Sequence, residues 1–221
     1  MDGTSFTMPD GAGLLEAAEE AFSEPTGKLL RGLHEFTLER LEAASLCRTS
    51  MITALRAGGV VGIGLHSFLR ECWAVLDGLS REVNVCMEGL FPDAGLYPPQ
   101  AMTRQCTFYV LRKLLHEHPD TADHAVSRML WERTRESPPV PYLRMSFLHN
   151  LSLFLPLSQL PEPDRLPGSR DVPAIAQEAV RHAEVPRCGL EEGTQEILDW
   201  LAEMLGESYA RLEGALREST R

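Results

Sequence analysis

The chain lacks any hydrophobic run long enough to cross a bilayer. Its longest near-apolar stretches, GGVVGIGL at 58–65 and LSLFLPL at 151–157, fall far short of the ~20 residues that a spanning helix needs. Positive charge is also scarce, with 21 Lys and Arg against 32 Asp and Glu and a net charge of −11. Phosphate contacts need clustered Lys and Arg, so this balance argues against a broad nucleic-acid-binding surface. The five cysteines, at 47, 72, 86, 106 and 188, show no CxxC or paired spacing. An odd, scattered set reads as reduced thiols in a reducing compartment. The opening run MDGTSFTMPDGAG is acidic, without a basic-then-apolar signal pattern. A cytoplasmic location is the expectation.

Catalytic signatures are missing as well. There is no HExxH, no GxSxG elbow and no GK[ST], and no His lies three residues after a Glu. Common hydrolases and the Glu-x-x-His pairs of di-iron bundles therefore lose ground. No metal and no cofactor is expected.

What remains is a chain of 221 residues with 43% apolar and 24% charged residues, enough to bury a core as one soluble domain. No segment shows sustained alternation of period two, whereas three- and four-residue apolar spacing recurs. A short helix is expected at 14–22 and a long one at 28–55, with Leu30, Leu33, Thr37, Leu41, Ala44, Cys47, Met51 and Leu55 on one stripe. The best-defined helix spans 65–90, with Leu65, Phe68, Leu69, Cys72, Leu76 and Leu79 among its stripe residues. Arg70, Glu71, Asp77, Arg81, Glu82 and Asn84 are expected largely off that stripe. Further helices are expected at 100–117, 121–135, 142–155, 174–183 and 190–217. The segment FPDAGLYPP (91–99) and the five-proline stretch at 156–173 act as breaks. The fold class is all-α: an up-and-down helical bundle with additional N- and C-terminal helices. It reads as one domain, with residues 1–24 as a loosely attached lead.

Three clusters carry possible chemistry. Gly58 to Gly64, GGVVGIG, precedes a helix and could cradle a phosphate, but its pattern suits a hinge or a close helix crossing better. His116, Glu117 and His118, near Asp120, Asp123 and His124, have metal-binding residue types. Spacing of two turns the 116 and 118 side chains apart, so a solvated helix end is the better reading. The third cluster is Arg144, His149 and Asn150. A His can move the proton of a ribose 2′-hydroxyl and an Arg can stabilise the developing phosphorane charge, without metal. On one regular helix Arg144 and His149 lie roughly 140° apart, so they converge only across a distorted turn or between two chains. Residues 101–150 supply the one sizeable basic stretch, with seven Lys or Arg against five acids, and four His.

Two stretches carry a family resemblance. LHSFLRECWAVLDGL (65–79) resembles the HxLRxALDxL helix of HEPN-like proteins, with His66, Leu69, Arg70, Leu76, Asp77 and Leu79 at matching positions. LRMSFLHN (143–150) resembles the later helix with the Arg-x4-6-His motif of HEPN ribonucleases, at Arg144 and His149. The resemblance covers about 65–155. It implies a helical bundle, often a homodimer, with the motifs of two chains meeting at the interface and RNA as substrate in active members. Met145 stands where active members commonly carry a polar residue, and Leu151, Leu153 and Phe154 replace a charged continuation. Those departures point to a non-catalytic member acting through a protein partner, with Trp73, Trp131, Trp200 or Phe154 as anchors. The alternatives are a metal-independent ribonuclease using Arg144, His149 and Asn150, and a small-molecule-binding protein with a pocket between helices.

Overall fold

Apolar residues at helical spacing, punctuated by Gly and Pro, do produce helices. The computed structural model describes residues 7–58, 62–97, 106–134 and 190–221. Among them stand six α-helices, one 3₁₀ turn and no strand. The helices are α1 (Ala12–Ala21), α2 (Glu24–Arg56), α3 (Gly62–Leu90), α4 (Phe108–Glu117), α5 (Ala125–Glu132) and α6 (Leu190–Ser219). The chain is an all-α helical bundle. None of the described helices is long and apolar enough to cross a membrane.

Local chemistry sets the boundaries. Asp10 Oδ1 accepts the Ala12 N–H at 2.9 Å and starts α1. Phe22 ends it in an extended conformation. α2 begins earlier than its apolar stripe predicts because Pro25 falls in its first turn, where a missing N–H leaves no bond unmade. Gly58, at φ 73°, takes the left-handed conformation that follows α2. α4 is shorter than the expected 100–117, since residues 106 and 107 are not helical. Its start is fixed by two acceptors, Asp77 Oδ1 for Phe108 N–H at 3.1 Å and Thr107 Oγ1 for Val110 N–H. α5 starts later than 121, because Thr121 turns back to donate to the Leu115 carbonyl and His124 forms the cap. The expected helices at 142–155 and 174–183, and the loop at 156–173, lie outside the described residues.

The chain divides into two compact units. The first includes described residues 7–39, 74–97, 106–134 and 201–221. Leu14, Leu30, Leu76, Leu79, Phe108 and Tyr209 are buried in it. Each fully buried Leu or Phe side chain contributes about 1.5–3 kcal/mol of transfer free energy. The second includes described residues 40–58, 62–73 and 190–200, with Leu41, Met51, Phe68, Leu69 and Ile197 buried. Within it α3 comes close to α2 at Gly64, where a Cβ would sit 2.9 Å from Met51 Cβ. That part of the glycine cluster is thus a close helix approach.

α3 departs from its expected polar face. Glu71, Glu82 and Asn84 are buried rather than solvated. Residues 82–87 are buried without interruption, more than a full helical turn. No solvent face remains there, so polar side chains on that turn need internal partners. Asn84 finds them in the chain after α3, donating to Tyr97 O at 2.8 Å and accepting Tyr97 N–H at 3.1 Å.

Glycine gives a direct check on this packing. A Cβ at Gly78 would lie 2.5 Å from Thr37 Oγ1, so Gly78→Ala should lower unfolding free energy by about 1–3 kcal/mol. Gly214 meets nothing within 4 Å, and Gly214→Ala should instead raise it by about 0.5–1 kcal/mol. Urea unfolding of the two variants beside wild type measures both signs.

Candidate functional site

A carboxylate with no exposure to water must find its hydrogen-bond donors inside the protein. Glu82 on α3 is such a group, at 0% exposure. Its Oε2 lies 3.0 Å from His34 Nδ1 on α2. Its Oε1 takes a short hydrogen bond from Thr37 Oγ1 and a longer one, 3.4 Å, from Tyr209 OH on α6. Three helices converge on one side chain.

The chemistry of each donor follows. A carboxylate only accepts, so His34 must carry a proton on Nδ1 to hydrogen-bond it. Thr37 Oγ1 also lies 2.9 Å from the Leu33 carbonyl, but its one proton is better used on the charged acceptor. Burial, the Glu82 charge and the hydrogen bond between them hold the Tyr209 hydroxyl well above its ordinary value. The Tyr209 ring meets the His34 ring edge-on at 4.9 Å. Against another edge of the imidazole lies Gly11, where a Cβ would come within 2.1 Å of His34 Cε1. The start of α1 is therefore seated on the same histidine. This centre is sealed, so it holds the bundle and offers no surface to a substrate.

A second polar cluster lies at α4 and α5 in the same unit. Tyr109, Arg112 and His116, spaced three and four apart, share one face of α4. The Arg112 guanidinium lies 5.1 Å from the Tyr109 ring centroid and 5.2 Å from that of Trp131. Its Nη1 donates to Thr134 O at 3.1 Å and to Thr134 Oγ1 at 2.6 Å. The His116 ring stacks on Trp131 at 3.6 Å, nearly parallel. Tyr109 is 59% exposed, whereas Arg112 is 7% exposed.

The second unit has its own buried acid. Glu71 accepts from Arg40 Nη1 at 3.1 Å and from Arg70 Nη2 at 2.8 Å. Arg48 joins α2 to α6, donating from Nε to Thr194 Oγ1 and from Nη2 to the Glu191 carbonyl. Cys72, fully enclosed, has its thiol pushed far up by burial, with the nearby Cys47 and Glu71 adding to it.

The residues expected from the sequence fare unequally. Arg144, His149, Asn150 and Phe154 lie outside the described residues. Of the HEPN-like helix, Leu69, Leu76 and Leu79 are buried, Asp77 caps α4, and Arg70 pairs with Glu71. His66 is exposed. Trp131 and Trp200 are buried, which corrects their expected role as exposed anchors: each ring is held in packing of its own unit. His116 lies half-buried in the last turn of α4, at the helix end as expected, with its ring also stacked on Trp131. His118 follows α4, and its Nδ1 accepts the Asp120 N–H at 3.3 Å. Among the described residues no group of three or more His, Cys, Asp or Glu is placed to hold a metal.

Sequence reasoning missed His34, Glu82, Tyr209 and Arg112. A signal existed for His34, a polar residue on the apolar stripe between Leu30 and Leu41. None existed for Glu82, whose partners lie 48, 45 and 127 residues away.

Removing Glu82 leaves the buried His34 and Tyr209 donors unmatched, while Thr37 can still donate to the Leu33 carbonyl. Glu82→Ala should lower stability by about 3–5 kcal/mol, and Tyr209→Phe by about 1 kcal/mol; chemical denaturation reads both. His124 supplies a pH test. Its Nδ1 accepts the Val126 N–H at 3.3 Å as the cap of α5, a role only the unprotonated nitrogen can fill. Burial, aided by the Arg128 charge and opposed by Glu218, holds the imidazole below 6.5. The folded state thus favours the neutral ring, and its contribution is complete above the unfolded value and lost as pH falls through the folded one. Stability should fall as pH drops from neutral through the unfolded and then the lower folded value of His124, and fall less in His124→Asn, which keeps the cap without titrating.

Comparison of the chain with family models, with curated proteins and with solved structures finds no match, so its own residues and their geometry carry the functional reading.

Proposed function

We propose that this chain is a HEPN-like helical-bundle protein of the cytoplasm that acts by binding a protein partner rather than by catalysis. The carrying observation is the use made of the polar residues of the HEPN-like helix. Asp77 holds the first N–H of α4, and Arg70 is tied to the buried Glu71. Further along the same helix, Glu82 is closed off by His34, Thr37 and Tyr209. These groups maintain helix contacts and leave little chemistry for a substrate.

The surface supports the same reading. Tyr109 and Val110 stand exposed side by side in the first turn of α4, and Leu46 on α2 and Ile63 on α3 are 64% and 68% exposed. Exposed apolar and aromatic side chains are the usual anchors of protein contacts. On this reading Tyr109 and Val110 replace the buried tryptophans as the anchors.

The rival is a homodimeric, metal-independent ribonuclease in which Arg144 clamps phosphate, His149 moves the proton and Asn150 orients it. One experiment separates the two. Purified wild type, His149→Ala and Arg144→Ala are incubated with RNA in EDTA, with molar mass measured on the same samples. The partner-binding reading expects no cleavage above the two variants. It also expects a stoichiometric partner, recovered by affinity capture, that is lost from a Tyr109→Ser/Val110→Ser variant of unchanged melting temperature. Cleavage by a dimer, abolished in both single variants, overturns it.

A further inference from the structure

Arg112 differs from the arginines that this chain pairs with acids, because it is both buried and without a carboxylate among the described residues. Arg31, Arg40, Arg56, Arg70, Arg133 and Arg217 each sit within ion-pair distance of a carboxylate. All of them are more exposed than Arg112, the arginine most deeply buried among the described residues. Yet Arg112 has no carboxylate partner among the described residues, in a chain with 32 acids. A guanidinium taken from water without a counter-charge is costly, and proteins ordinarily pair it.

The unpaired part is specific. Nη1 is committed to Thr134. Nε is buried and has no hydrogen-bond partner, and Nη2 makes no hydrogen bond among the described residues. Nε–H and one Nη2–H point the same way from the guanidinium plane. That edge is the two-pronged donor that matches a pair of carboxylate or phosphate oxygens. The Tyr109 and Trp131 rings and the Thr134 bonds hold the plane in place, so little ordering is left for a ligand to impose. Tyr109, mostly exposed, covers one face of the guanidinium.

We propose that Arg112 anchors an oxyanion-binding site, receiving two oxygens of a carboxylate or a phosphate on its Nε/Nη2 edge, with the Tyr109 ring over one face of the guanidinium and Thr134 fixing the opposite edge. The site does not depend on the HEPN-like reading, and it uses none of Arg144, His149 or Asn150. His116, stacked on the far partner ring Trp131, supports the aromatic wall.

The test uses the full chain labelled with nitrogen-15. Sodium phosphate and sodium acetate are titrated separately at constant ionic strength, and the Arg112 Nε–H signal, assigned through its own side-chain correlations, is followed. A saturable shift with either probe and none with added chloride is expected. Phosphate alone acting identifies a phosphate site, and acetate alone a carboxylate site. Melting temperature is read in parallel for wild type and Arg112→Lys, which keeps the charge but loses the fork. The probe that shifts the signal should raise the wild-type melting temperature and leave Arg112→Lys unchanged. An unmoved Nε–H with both probes, or equal stabilisation of wild type and variant, overturns the proposal. If Arg112→Lys does not fold, the wild-type signal decides alone.

Discussion

The desolvation of one carboxylate governs the first unit. Glu82 is buried on a turn of α3 that has no water-facing side, so its oxygens must be met by donors at fixed positions. His34 and Thr37, one helical turn apart on α2, and Tyr209 on α6 supply them. This requirement sets the register of three helices at one point. It also chooses the tautomer of His34, and the orientation so fixed presents the ring to Gly11, where α1 begins. Gly78, one turn before Glu82, lets α3 come close enough to Thr37 for the short hydrogen bond to form. Apolar packing alone tolerates sliding and rotation, whereas three directed bonds to one side chain do not. A buried polar group of this kind acts more as a determinant of a unique arrangement than as a source of net stability.

The same logic explains why the interior acids are poor candidates for chemistry. A general acid or base must reach a substrate, and Glu82 and Glu71 are buried among the residues that hydrogen-bond them. Burial of the thiols acts in the same direction. Cys106, beside Ser80, is pushed up to about 11, and Cys86 is raised further by burial and by Glu82. These sulfurs are core atoms, inert as nucleophiles at neutral pH. On α4 the buried Arg112 is held by Thr134 and has no carboxylate partner among the described residues.

Helix identity was legible because it is a local property. Spacing of Leu30, Thr37, Leu41, Ala44 and Met51 marked the buried face of α2, and all five are buried. Ends were less legible where the stop came from elsewhere in the chain. Asp77 sets the start of α4 from 31 residues away, so no reading of residues 100–108 alone could place it. The polar centre was hidden for a related reason. Glu82 looked like a solvated position because the stripe of α3 was drawn for a helix with one buried face, and this turn is surrounded. The exposure of Trp131 and Trp200 was misread because a large ring is equally suited to an anchor and to a core, and only neighbours from distant sequence decide. The HEPN-like resemblance rests on short motifs: in the described half Leu69, Leu76 and Leu79 are core residues and Asp77 caps α4, while the Arg144–His149 half lies outside the described residues.

The longest hydrogen bonds in sequence terms impose an order on biosynthesis. Tyr209 reaches Glu82 across 127 residues, and the Glu191 carbonyl meets Arg48 across 143. Each unit, taken by itself, is incomplete until residues from α6 arrive. A nascent chain that has released α1 to α5 therefore carries Glu82 without its tyrosine and Arg48 without its acceptors. It also exposes the apolar faces that α6 covers in each unit. Loop closure over such spans is slow compared with local helix formation. Each unit is thus committed to completing its fold only once α6 has been synthesised, and dependence on chaperones should be concentrated in the interval before that.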